Sequence, residues 1–216
     1  MTVMPSKSWS RRIYETVRGK CKETDKMRYY RLKNRELNWG DYGDILLAGM
    51  TNHLGRQDGF LQLERTGPFQ PNIIISGISD LIVTDSFKNK LQNSGINGLD
   101  FKQVIKRHIS LVDWTNWNLQ ADDPQFYPDS GEPEGYILEI PHSSELADKM
   151  ENVWEVLLIR NGKFQDNSSF IIGNKPTDIM RAENRGWIIA TEIVKNWLEQ
   201  NEATWLAFEE LSRCTE

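Results

Sequence analysis

The sequence contains few of the residues that build metal or thiol sites. It has two cysteines, Cys21 and Cys214, near opposite ends of the chain, and three histidines that form no HExxH, HxH or CxxC pattern. Zinc sites need clusters of such residues at short spacings. We therefore expect no metal ion. Two distant cysteines are typical of free thiols in a reducing compartment, although a single bridge between them stays open.

Long apolar runs and nucleotide-binding motifs are also missing. No stretch approaches the roughly 20 apolar residues of a membrane-spanning helix, and the first residues lack the apolar centre of a secretory signal. Neither the glycine-rich phosphate-binding patterns nor the GxSxG nucleophile motif occurs. These absences predict a cytoplasmic protein with no membrane partner, no cofactor and no enzymatic activity.

Positive charge is absent from one long segment of the chain. Residues 108–148 contain nine Asp or Glu and no Lys or Arg, whereas residues 1–36 contain eleven Lys or Arg against four Asp or Glu. The whole chain has a formal net charge of -5. Nucleic-acid-binding proteins show the opposite bias over their main body. The sequence thus favours a basic protein as the partner and argues against nucleic acid.

The acidic segment supplies the candidate site. Its proline-rich stretch carries five acids, namely Asp122, Asp123, Asp129, Glu132 and Glu134. Catalysis by paired carboxylates needs two of them in different environments, which a solvated loop does not offer. Aromatic rings among charges are typical of protein interfaces, so we predict that these acids, with Trp114 and Trp117, contact a partner. The alternatives are a plain solvated loop and, for the two tryptophans, a place in the core.

The charge distribution also suggests how the chain is divided. Residues 1–36 are expected to form a basic N-terminal arm that is solvated or loosely docked. Residues 37–216 are expected to form a single body. A division of this body into lobes at 37–112 and 113–216 stays open, as does the oligomeric state.

Apolar patterns and turn residues predict the local elements. A serine at 143 or 144 is expected to cap a helix that runs to about Met150. Asn161-Gly162 is a strong hairpin signal and is expected to join a strand at Val153–Arg160 to Lys163–Gln165. The other predicted elements are a buried strand or short helix at Asp44–Met50, a turn at Asp58-Gly59, and strands at Phe60–Arg65, Asn72–Ser76 and Gly135–Ile140.

Two segments of the chain repeat each other. Ser79–Val104 and Gly186–Leu211 match at an offset of 107 residues, with seven identical positions. In each copy an apolar strand ends at a threonine, Thr84 or Thr191, that can cap the following helix. An L-x-F strand follows after a short loop. We predict an α+β fold whose mixed sheet or sheets contain two copies of a strand–helix–strand unit.

Several segments together resemble a family of bacterial immunity proteins from polymorphic-toxin loci, a group first catalogued as a domain of unknown function. They occur in the order Glu64–Pro71, Leu81–Phe101, Asp113–Trp117, Gly131–Ile137 and Val153–Glu155. The resemblance implies a cytosolic protein that binds a cognate toxin domain and blocks it without catalysis. It brings no active-site residues to transfer. The alternatives are a carboxylate-dependent hydrolase and a nucleic-acid-linked regulator that works through the basic arm.

Overall fold

The computed structural model describes residues 27–175 and 177–214, and in this part of the chain three sheets and five α-helices form an α+β fold. The strands are β1 (Tyr29–Asn34), β2 (Arg56–Gln57), β3 (Phe60–Gly67), β4 (Ile73–Ser76), β5 (Asp80–Thr84), β6 (Leu99–Gln103), β7 (Ile105–Leu111), β8 (Val153–Leu158), β9 (Lys163–Phe164), β10 (Ser169–Ile171), β11 (Ile179–Arg181), β12 (Ile188–Thr191) and β13 (Leu206–Cys214). The helices are α1 (Asp41–Ala48), α2 (Asp85–Gln92), α3 (Gly135–Leu138), α4 (Ser144–Lys149) and α5 (Glu192–Gln200).

The predicted repeat is present as two strand–helix–strand units. The first is β5–α2–β6 and the second is β12–α5–β13. Thr84 and Thr191 are the residues before the two helices, and both have φ -70° and ψ 163°. The matching sequences therefore fold into matching local structures. The caps differ, because the Thr84 side chain accepts a hydrogen bond from the Phe87 amide, whereas the Thr191 side chain does not cap its helix as predicted.

Each unit is completed by a strand from elsewhere in the chain. In the first sheet the strand order is β4-β5-β8-β6, and in the second it begins β11-β12-β1-β13 and continues to β10 and β9. The middle strands β8 and β1 are antiparallel to both of their neighbours. The first and last strands of a unit therefore do not pair with each other; they flank an inserted strand.

This arrangement corrects two predicted boundaries. The predicted basic arm extends to residue 36, yet β1 lies inside this range and occupies the middle of the second sheet. Its basic residues are held there, because Lys33 pairs with Glu209 at 2.8 Å and Arg31 stacks over the Trp187 ring at 3.4 Å. The rest of the arm, including Cys21, lies outside the described residues.

The division into lobes at residue 112 is also wrong. Strand β8 belongs to the second half of the chain, but it pairs with β5 and β6 of the first half. Two halves that share sheets in this way cannot separate without breaking backbone hydrogen bonds. The described residues therefore form one interlocked body.

Four apolar clusters hold this body together, and two of them form layers on the two faces of the first sheet. The first lies between the two units and contains residues of both helices, such as Phe87 and Leu91 of α2 and Val194 and Leu198 of α5. The second lies on the other face of the first sheet, which packs against α1, β3 and the segment after β7. The candidate site is built on this second layer.

Several local predictions are confirmed around the second layer. Asp44–Met50 overlaps α1, the helical one of its two alternatives, and Ser143 caps α4 by accepting a hydrogen bond from the Leu146 amide. Asp58-Gly59 is a turn with φ values of 51° and 79°, which joins β2 to β3. The predicted strand from Phe60 is also present as β3.

Two local predictions are wrong. Asn161-Gly162 does not make the predicted hairpin, because β8 pairs with β5 and β6 while β9 pairs with β10. The Asn161 amide instead donates to the Arg181 carbonyl, and its buried side chain donates to the Lys175 carbonyl. The predicted strand Gly135–Ile140 is the short helix α3.

Candidate functional site

The five predicted acids all lie on the surface of one loop. Residues 121–134, here called the acidic loop, connect a 3-10 turn at Trp114–Asn116 to α3. The side chains of all five are exposed: Asp122, Asp123, Asp129, Glu132 and Glu134. The loop therefore presents a group of solvated carboxylates.

A cluster of aromatic rings supports the acidic loop from below. Trp117 contacts Trp39, Phe126 and Tyr136 with ring centroids 5.5, 5.1 and 5.9 Å apart. Tyr42 of α1 contacts Tyr136 from the opposite side. Edge-to-face and tilted ring pairs at such distances add to the stabilisation from apolar burial. The loop thus rests on a packed base.

The aromatic cluster also fixes the loop backbone by hydrogen bonds. Three of its side chains donate to loop carbonyls: Trp39 Nε1 to Ala121 at 3.1 Å, Tyr42 Oη to Gly131 at 2.6 Å, and Tyr136 Oη to Phe126. Burial raises the pKa of Tyr136 to about 12, so its hydroxyl stays protonated and able to donate. The loop is attached at three points along its length.

Carboxylates fix the loop further. Glu139 of the segment after α3 accepts hydrogen bonds from the backbone amides of Asp129 and Ser130 at 2.8 and 3.0 Å. Hydrogen bonding from Ser130, and then from the Asp129 amide, lowers the pKa of Glu139. Asp123 accepts from Tyr127 Oη at 2.6 Å, and this bond raises the pKa of Tyr127.

The two predicted tryptophans have different positions. Trp114 is fully buried, and its ring packs against Phe69 and Trp205 at 5.3 and 5.7 Å. It therefore belongs to the core, because no surface of its ring is accessible. This is the second of the two positions considered for it, and it excludes contact with a partner. Trp117 is half-buried in the base of the acidic loop.

The structure adds acids that the sequence analysis did not select. Asp41 and Asp44 lie on either side of Tyr42, in the first turn of α1. Burial, followed by repulsion from Asp41 and Glu36, raises the pKa of Asp44. Residues 36–55 contain no Lys or Arg. This second segment without positive charge is the sequence pattern that could have identified the two acids. Asp41, Asp44 and the five loop acids are here called the acidic surface.

Each of the three histidines has a hydrogen-bond partner, and the rings of His108 and His142 also lie 5.6 Å apart. His53 Nδ1 lies 2.8 Å from Oε2 of the buried Glu64. His108 Nε2 lies 2.9 Å from the Ile140 carbonyl, and His142 Nδ1 accepts from the Ile109 amide at 2.9 Å. Among the described residues, no three His, Cys, Asp or Glu side chains are grouped as a metal ion would require.

Comparisons with known proteins were made for the whole chain. No protein-family model matches it, and no curated protein is significantly similar to it. In the part of the chain that the structure describes, no helix has both the length and the apolar character needed to cross a membrane.

Proposed function

We propose that this chain is a bacterial immunity protein that binds a cognate basic toxin domain in the cytoplasm and neutralises it by stoichiometric contact. The observation that carries the proposal is the acidic surface, in which exposed carboxylates stand on a fixed base with no Lys or Arg in either contributing segment. The resemblance in the order of five sequence segments supports the same function.

Rigidity makes the acidic surface suitable for inhibition. Ordering a loop on binding costs conformational entropy, which weakens the complex. The bonds from Trp39, Tyr42 and Tyr136 to the loop carbonyls order this loop before any partner arrives. A preformed field of negative charge also speeds association with a basic partner and selects against acidic ones.

The environment of the acids favours inhibition over the hydrolase alternative. A catalytic acid needs a carboxyl group whose pKa is raised by burial beside one that stays ionised. The five loop acids are all exposed to solvent, so their surroundings do not separate them into these two roles. Asp44 is the member of the acidic surface whose pKa burial raises, but its side chain is still exposed and not enclosed as a catalytic acid would be. The charges of Arg31 and Lys33 are engaged by Trp187 and Glu209, which also weakens the case for nucleic-acid binding through this part of the chain.

The proposal is tested by reconstitution. The tagged chain is used to isolate its partner from cells of its source, and the identified partner is then purified alone. Adding the protein should abolish the toxic activity of this partner at a one-to-one ratio. A partner without toxic activity, or a toxin that stays fully active in the complex, would contradict the proposed function.

A further inference from the structure

A cavity of about 520 Å³ opens within the acidic surface. One wall is α1, which contributes Asp44, Ile45 and Ala48, and another is the end of the acidic loop and α3, which contribute Glu134 and Leu138. The cavity therefore lies where the two segments without Lys or Arg meet. Its volume is within the range of natural binding pockets.

The cavity combines apolar walls with an acidic rim. Ile45, Ala48, Ile75 and Leu138 supply aliphatic surface. Asp44 and Glu134 are exposed and supply the rim carboxylates. None of the described residues that line the cavity is Lys or Arg.

A histidine paired with a buried carboxylate lines one end. His53 lines the cavity, and its Nδ1 lies 2.8 Å from Glu64 Oε2. Glu64 is only 5% exposed, and its hydrogen bond holds the imidazole ring in place. Burial, and then repulsion from Asp41 and Glu36, raises the pKa of Asp44, and a cation placed beside Asp44 would relieve the repulsion.

We infer that this cavity receives the side chain of a lysine or arginine from the partner, an inference that rests on the proposed function. Such side chains bury an aliphatic stem against apolar surface while the charged end stays near acids or water. Here the stem packs against Ile45, Ala48 and Leu138, and the charged end meets Asp44 and Glu134. One basic side chain of the toxin would then anchor the complex at this point.

The chemistry of the cavity can be tested on the free protein with n-butylguanidinium, which mimics an arginine side chain. We expect saturable shifts in the amide NMR spectrum at the residues that line the cavity, and none with n-butanol, which has the same stem without charge. The D44N/E134Q variant should bind n-butylguanidinium at least about fivefold more weakly. Matched shifts with butanol, or saturation elsewhere, would overturn the inference.

A matched variant separates the cavity from general charge effects. D41N/E132Q removes the same two charges from the acidic surface but leaves the cavity lining unchanged. It should bind n-butylguanidinium clearly more tightly than the D44N/E134Q variant does, because neither of its replaced side chains lines the cavity. Equal losses of affinity for n-butylguanidinium in the two variants would show that the general negative charge of the surface attracts the cation, and would contradict a specific pocket.

The same variants distinguish failure of this inference from failure of the proposed function. If the toxin is bound and inhibited equally well by the D44N/E134Q and D41N/E132Q variants, the cavity does not receive a toxin side chain, although the proposed function stands. If no toxin is inhibited by the unmodified protein, the proposed function fails and this inference fails with it, whatever the cation result. Greater loss of toxin affinity in D44N/E134Q than in D41N/E132Q is the supporting outcome.

Discussion

The hydroxyl of Tyr42 donates a hydrogen bond to the carbonyl of Gly131 at 2.6 Å, across 89 residues of sequence. Tyr42 lies between the two acids of α1, and Gly131 lies among the five acids of the acidic loop. This bond therefore joins the two segments that carry the acidic surface. Its loss should affect the shape of the surface more than the stability of the fold.

The first prediction concerns this bond. The Y42F variant keeps the ring contacts with Tyr127 and Tyr136 but loses the donor, so the free energy of unfolding should fall by only about 0.5–1 kcal/mol. Backbone amide exchange in residues 121–134 should become faster, and the toxin should bind more weakly. The Y127F variant is the comparison, because it removes a bond within the loop, from Tyr127 to the Asp123 side chain, and leaves the bond to α1 intact. Amide exchange should therefore rise less in Y127F than in Y42F. Equal exchange rates in Y42F and the unmodified protein would contradict the role of the bond.

The second prediction concerns the cost of holding Asp44 in place. Burial and the neighbouring acids raise its pKa in the folded state, so protonation favours the folded state, and the stability that it contributes is lost as pH rises through the folded pKa. The D44N variant should therefore be more stable than the unmodified protein at pH 7. The gain should stay below about 1 kcal/mol, because Asp44 is only partly desolvated and solvent still reaches and screens its carboxylate.

Thermal unfolding at two pH values checks this prediction. The melting temperature of D44N should exceed that of the unmodified protein at neutral pH, and the difference should shrink in acid as Asp44 becomes protonated. The toxin should nevertheless bind D44N more weakly, as happens where a binding site carries unfavourable charge. A D44N variant that is less stable than the unmodified protein at neutral pH would contradict the unfavourable free energy assigned to the Asp44 charge.

The third prediction uses the repeat as its own control. Thr84 Oγ1 accepts a hydrogen bond from the Phe87 amide at 3.3 Å, whereas Thr191 Oγ1 is buried with no hydrogen-bond partner among the described residues. T84V should lower the free energy of unfolding by about 1 kcal/mol through loss of the cap. T191V should be neutral or stabilising, because it removes an unpaired polar atom. Urea unfolding measures both, and equal losses would contradict the distinction.

The fourth prediction concerns an ion pair between exposed Arg56 of β2 and buried Glu155 of the first sheet. Arg56 donates to both carboxylate oxygens of Glu155 at 2.8 and 2.6 Å, and Glu155 is almost fully buried. R56M leaves that charge unpaired and should cost roughly 2–4 kcal/mol in urea unfolding. The double variant R56M/E155M should recover most of this loss, whereas R107M, a change at an exposed arginine, should have little effect. No recovery in the double variant would show that the cost has another origin.

The sequence predicts the two repeated units because each carries its own local signals. A buried strand and a threonine precede each helix and an acid begins it, and Thr84 and Thr191 mark these starts in the structure. It does not predict which strand completes each sheet. The middle strands β1 and β8 come from distant parts of the chain, and such pairing depends on tertiary packing that no local pattern encodes.

The wrong hairpin prediction at Asn161-Gly162 has the same cause. Asn161-Gly162 is a good two-residue turn in isolation, but the Asn161 backbone pairs with Arg181 of β11 instead. Asp58-Gly59, with the same type of sequence, does make the tight turn, with positive φ at both residues. The tertiary hydrogen bonds around each dipeptide therefore determine which of the two forms a tight turn.

The charged residues of the candidate site could be predicted from the sequence, but the residues that hold the acidic loop in place could not. The five loop acids are exposed, as expected for a solvated proline-rich segment. Tyr42 and Asp44 were not selected, because the sequence gives no sign that α1 packs beside a loop about 90 residues later. The tryptophan pattern was ambiguous for a similar reason, and burial resolved it for Trp114.

The affinity of the purified toxin for a charge-neutralised loop tests the central claim most directly. The test variant replaces the five loop acids by their amides, and the control replaces five exposed acids outside the acidic surface: Asp100, Glu183, Glu199, Glu202 and Glu210. Both carry the same net charge. At about 0.15 M salt, five contacts worth ~0.5 kcal/mol each predict roughly 70-fold weaker binding for the test variant. The control should change by less than about threefold, and equal affinities for the two variants would contradict binding through the acidic surface.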